Sequence, residues 1–149
     1  MNSNIGIPTE EDWGDWKFDL DLQCAHDIFY GKTNQEVQGD FYRCVIERAD
    51  ELGVMSGNPF KYYMLGFRDF IVADDFIEYD ESDAASCFLN LVESKLIKNP
   101  DDIKSIIDDL YEVIVYISEN QRKYNASESI YGNFKEQFLR IKNLLEQKR

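Results

Sequence analysis

Histidine, cysteine and proline are all scarce in this chain of 149 residues, which has one, three and three of them. A single histidine, His26, excludes any centre that needs two imidazoles, so a histidine-based site would have to be assembled around that one ring. Cys24, Cys44 and Cys87 are odd in number, widely spaced and outside any Cys-x-x-Cys pair. That excludes a disulfide framework and a zinc knuckle and suits a reducing compartment. No apolar run approaches the roughly 18 residues of a membrane span. The first twelve residues lack the basic start and apolar middle of a signal peptide, so a cytoplasmic location is the expectation. Basic side chains are scarce as well: 16 Lys and Arg face 29 Asp and Glu, a formal charge of −13 at pH 7. Such a surface repels phosphate backbones and anionic headgroups, which sets aside nucleic acid and membrane as partners.

What the chain does have is patterned charge. Residues 1 to 40 carry nine acids against Lys17 and Lys32, and Asp74 to Asp83 carries six acids and no base. The last fifteen residues reverse the sign, with Lys135, Arg140, Lys142, Lys148 and Arg149 against Glu136 and Glu146. Solubility accounts for much of this excess. The clustering adds a second reading, a face steered toward a basic protein.

Apolar spacing gives the fold class. From Asn58 to Ala73, an Asn cap and a Pro at the first helical position precede Phe60, Tyr63, Met64, Phe67, Phe70 and Ile71, which makes a helix with an aromatic inner face. This helix is expected at the centre. Before it, Leu22, Ala25, Ile28 and Phe29 mark a helix between Asp19 and Tyr30. Thr33 and Glu36 form a capping box that opens another through Val37, Phe41, Cys44, Val45, Arg48, Ala49 and Leu52, with Gly39 marking a bend or close crossing. After it, Ala85, Phe88, Leu89, Val92 and Leu96 predict a helix starting near Ser82 or Asp83. Asn99 and Pro100 start a stripe from Ile103 to Ile117 in one unbroken phase. The last helix begins around Ala126 to Ser129, with Ile130, Phe134, Phe138, Ile141 and Leu145 inside. The expected fold is all-α, a compact bundle of about six helices or a stack of antiparallel helical hairpins, in a single domain over 1–149. Residues 1–12 read as an irregular lead-in, followed by Trp13 and Trp16, which with Leu20 would clasp the domain.

Motifs for chemistry are weak. Gly31-Lys32-Thr33 resembles the end of a phosphate loop, but His26 stands where the leading glycine belongs and a helix precedes it. The loop Asp74–Asp83 lacks the glycine and closing glutamate of a calcium loop. Asp101-Asp102 and Asp108-Asp109 share a helical face two turns apart, and no second helix offers matching ligands. No cofactor, metal site or catalytic residue is therefore assigned. Tyrosine is abundant, and Tyr62 falls toward Lys61 and Asp69, where an exposed ring beside acids suits recognition.

The runs Phe29-Tyr30-Gly31-Lys32-Thr33 and Asn58-Pro59-Phe60-Lys61-Tyr62-Tyr63, with the region Ile130-Tyr131-Gly132, resemble segments of a family of small, uncharacterised bacterial helical proteins. The resemblance implies no activity. In size and acidity the chain is also similar in kind to immunity proteins that neutralise toxins, although no immunity motif is matched residue by residue. The leading expectation is a non-enzymatic inhibitor-like module that occludes a basic protein partner, such as a toxin, through Tyr62, Asp74, Asp75, Glu78, Tyr79, Asp80, Glu81 and Asp83. Two alternatives compete with it. One is a small enzyme or ligand binder with a pocket around His26 and carboxylates, and the other is a helical-repeat adaptor with an extended concave stack.

Overall fold

Phe60, Tyr63, Met64, Phe67, Phe70 and Ile71 all leave solvent together, because their spacing puts them on one side of a helix running from Gly57 to Ala73. The computed structural model describes residues 5–147, and among them all regular structure is helical. Residues 1–4 of the expected lead-in, and Lys148 and Arg149 of the basic end, lie outside the described residues. Two 3-10 turns, Glu11–Trp13 and Trp16–Phe18, lead into α1 (Leu20–Phe29), α2 (Gln38–Arg43), α3 (Val45–Val54) and α4 (Gly57–Ala73). There follow α5 (Glu81–Lys98), α6 (Pro100–Lys104), α7 (Ile107–Glu119), α8 (Glu128–Tyr131) and α9 (Phe134–Glu146).

The aromatic face of α4 is central, as its spacing predicts. It touches α2, α3, α5, α6, α7 and the first 3-10 turn. Phe67 stacks on Phe41 of α2 at 5.1 Å and meets Phe88 of α5 edge-on at 5.1 Å, so one ring joins three helices. The other long helix, α5, packs on α3, α4, α6, α7 and α9. Because the helices gather around α4 and α5, the extended concave stack of a repeat adaptor is not formed. Tyr63 closes the far end of this core. Its hydroxyl lies 2.6 Å and 2.7 Å from the carbonyl oxygens of Phe29 and Lys32, satisfying the chain where α1 ends. Burial pushes its pKa well above that of a free tyrosine, so it remains a donor.

Six helices of ten residues or more are present among the described residues, in line with about six expected. The difference is that three expected helices are broken. Thr33 and Glu36 do exchange their capping bonds, at 2.8 and 3.1 Å, but they close a turn and the helix proper starts at Gln38. The break between α2 and α3 falls at the extended Cys44, not at Gly39. It lets α2 lie on α4 while α3 turns to α1 and α5. Likewise Ile106 leaves helical geometry between α6 and α7, and Gly132 separates α8 from α9 with φ of 78°. That last break leaves Ile130, expected inside, 75% exposed. Leu20 is also outside at 78%, whereas Trp13 is buried and Trp16 half-buried. Within the described part of the lead-in, the amide and hydroxyl of Thr9 bond Asp12 at 2.8 and 3.2 Å.

One correction concerns a cap and another the close crossing. Asn58 does not cap α4; its amide donates to Asp12 at 3.1 Å, and the helix opens at Gly57. The amide of Gly57 is instead satisfied at 3.1 Å by the carboxylate of Asp102 on α6, whose charge suits the positive end of the α4 dipole. The close crossing is at Gly66, where a Cβ would lie 2.2 Å from Oδ1 of Asn34.

Replacing Tyr63 with Phe leaves the Phe29 and Lys32 carbonyls without this donor, and should lower unfolding free energy by about 1 to 3 kcal/mol in urea titration. Lys95 on α5 is buried against the ring of Phe60 and donates to the Met55 carbonyl. Desolvation lowers its pKa from the ordinary 10.5, with the charge of Asp102 opposing. A charged lysine therefore costs the fold stability at neutral pH, and the cost fades as pH rises toward 10.5. Urea midpoints of the wild type relative to Lys95→Met should rise over that interval; a flat difference would show a solvated amine.

Candidate functional site

The acidic loop is not a floppy tether between α4 and α5. Asp74 ends α4 in the left-handed conformation at φ 58°, which a short polar side chain tolerates. Phe76 then folds back onto Phe70 and Tyr124, at 5.3 and 6.4 Å between ring centres. Three polar ties follow, all to the segment between α7 and α9. Lys123 pairs with Asp74 at 2.8 Å, Asn125 donates to Glu81 at 2.7 Å, and the Tyr131 hydroxyl donates to Asp83 at 2.8 Å while lying 3.1 Å from Ser82. That segment is itself knotted by Gln121. Its amide donates to the carbonyls of Ala126 and Gly132 at 2.9 and 2.7 Å and accepts from Phe134 at 2.9 Å. Tyr124 is buried beneath, its pKa pushed up to about 12 by burial, so it stays neutral.

The result is an acidic ledge. Asp74, Asp75, Glu78 and Tyr79 are exposed, whereas Asp80, Glu81 and Asp83 are half-buried. The carboxyl of Glu81 sits below the usual range because its own amide and that of Asn125 hold the anion. Tyr79 is 76% exposed with φ of 77°, a left-handed backbone that is uncommon for a bulky residue and costs of order 1 to 2 kcal/mol. Asp75 and Glu78 have no ion pair among the described residues. Tyr62 is placed elsewhere. It sits about 18 Å along α4 from Asp74, half-buried, its hydroxyl and carbonyl accepting from Asn34 at 3.1 and 2.8 Å.

Beside the ledge runs an open groove of about 510 Å³. Ile71, Val113 and Tyr124 form its floor, Val72 and Tyr116 its lips, and Asp74, Glu112, Glu119 and Lys123 its rim. Of the groove and tie residues, the sequence reading names Ile71, Asp74, Glu81 and Asp83 but not the partners that fasten the loop. Gln121, Lys123 and Asn125 lie in a stretch that reads only as polar, and no local pattern announces which loop they will fasten.

His26 occupies a different environment. Its ring is sandwiched by Trp16 at 3.6 Å and Tyr30 at 4.5 Å, both near parallel, with Trp13 edge-on at 5.2 Å. Glu10 bonds both His26 and the Trp16 indole, at 3.0 and 2.6 Å, which lowers its pKa, the indole contributing most. A deep pocket with at least two acids converging on this histidine would favour the enzymatic alternative; among the described residues the ring bonds one carboxylate and is covered on both faces. Lys32, the lysine of the phosphate-loop lookalike, pairs with the buried Asp40 at 3.3 Å. Burial pushes the Cys87 thiol up to about 11, so it is a poor nucleophile. Among the described residues no three metal-ligating side chains converge, and no helix is long and apolar enough to cross a membrane.

Comparison with known proteins finds no matching family, no matching curated protein and no matching solved structure. The functional reading rests on the ledge and groove.

Exposed ion pairs and polar ties of this kind are each worth about 0.2 to 1 kcal/mol. The double replacement Lys123→Ala with Asn125→Ala should accordingly leave global stability within about 2 kcal/mol of wild type. Amide hydrogen exchange across 74–81 should accelerate while exchange across α4 and α5 does not. Unchanged exchange in the loop would mean that Phe76 alone holds it.

Proposed function

We propose that this chain is a non-enzymatic binding protein that covers a cationic surface of another protein, in the manner of an immunity-type inhibitor. The observation that carries this reading is the fastening of the acidic segment. Four side chains of the 120–131 region hold it against the core, so Asp75, Glu78 and Tyr79 stand out from a fixed surface. Carboxylates presented this way are not consumed in internal pairing, and little order has to be gained when a partner arrives.

Two further features support the reading. A left-handed, solvent-facing tyrosine among acids is an unfavourable local choice, of the kind found where a contact surface is being shaped. Complementary fields also speed encounter, and a net charge of −13 supplies one sign of that field. A cytoplasmic location belongs to the same proposal, as does the exclusion of nucleic acid from its partners.

Capture from native cells with two baits tests this. The wild-type chain should retain a protein of basic isoelectric point that the variant Asp75→Lys with Glu78→Lys loses; both replacements are on exposed side chains and should leave folding intact. Equal retention by the two baits, or retention of acidic proteins only, would overturn the proposal.

A further inference from the structure

The ledge explains attraction but not discrimination, since any cation would answer to it. The groove beside it carries the discrimination. Resting on the reading above, we infer that the partner inserts one apolar side chain, flanked by two cations, into the groove between the end of α4 and α7.

The floor and lips of the groove are the side chains of Ile71, Val113, Tyr124, Val72 and Tyr116, and Val72 is 65% exposed although it belongs to one of the two central helices. An apolar lining of this volume falls in the range of sites that hold a ligand group. Its occupant is indicated by the charges around it. Glu112, Tyr116 and Glu119 are spaced four and three residues apart, so they form one stripe along α7, with the acids about 10 Å apart and the ring between them. Neither acid has an ion pair among the described residues. Asp74 closes the end of the groove that joins the ledge, and Lys123, the one cation on the rim among the described residues, is paired with it at 2.8 Å.

An acidic or neutral apolar segment would leave Glu112 and Glu119 facing like charge or losing water without compensation. A segment with lysine or arginine on either side of a leucine-sized side chain satisfies both acids and fills the floor. Because the acids lie two turns apart on a helix, a helical partner segment with cations two turns apart matches them directly. Such an arrangement reads a partner by apolar anchor and charge together, as buried anchors with a charged rim do elsewhere.

The test uses the full chain and two alanine-based helical peptides with lysines two turns apart, one carrying leucine between them and the other alanine. The leucine peptide should bind about tenfold or more tightly, and should shift the amide resonances of residues 71–74, 112–119 and 123–124. Val72→Gln, on an exposed position, should shrink the difference between the peptides to within about twofold, while Glu112→Gln with Glu119→Gln should weaken both peptides alike. Equal binding of the two peptides, with shifts confined to 74–81, would overturn the groove inference and leave the basic-partner reading standing. No binding of either peptide at about 1 mM, at low salt, would overturn both.

Discussion

The architecture depends on covering one aromatic face. Phe60, Tyr63, Phe67 and Phe70 lie within a single helix, and a surface of this kind cannot be sealed by one neighbour. Burial of each such ring is favourable by roughly 1.5 to 3 kcal/mol, enough to draw helices in from several directions. Phe41, Phe88 and Phe76 answer from three different parts of the chain, and Tyr124 backs Phe76 from a fourth. The breaks at Cys44 and Ile106 leave α2, α3, α6 and α7 each packed on α4, whereas the break at Gly132 leaves Ile130 exposed and α9 packed on α5 and α7.

The same demand turns a solubilising run of acids into a surface. Phe76 is pulled in by Phe70 and Tyr124, and it carries Asp75 and Glu78 with it into a fixed place. Polar ties then complete what the ring begins, with Lys123, Asn125 and Tyr131 each taking one of the carboxylates nearest the helix ends. The acids in the middle of the loop receive no such partner. Charge that would otherwise be distributed over a moving tether is thereby held in place, next to a groove with Asp74, Glu112 and Glu119 on its rim.

Much of the fold was legible from residue spacing, because apolar periodicity reports which side of a helix is buried. All six inner-face residues expected on α4 and all five on α5 are buried. What spacing does not report is where a stripe bends, since Val37, Phe41, Val45 and Ala49 keep their phase straight through the extended Cys44. Nor does it report caps supplied from far away. Asn58 followed by Pro59 is a sound local start signal, yet Asp102, forty-five positions on, satisfies the first amide of that helix. The acidic loop could be picked out by composition, but the ledge could not. Its ties join residues 44 to 49 positions apart, and nothing local to Gln121, Lys123 or Tyr131 distinguishes them from ordinary polar loop residues.

Fixed carboxylates that meet a cationic protein surface, as proposed, act on the association rate constant with the captured partner, which stopped-flow follows as ionic strength is raised. At physiological salt the screening length is about 8 Å, so steering by the ledge should fade steeply as salt increases, while the dissociation rate changes much less. An association rate that stays level across that range would contradict the account.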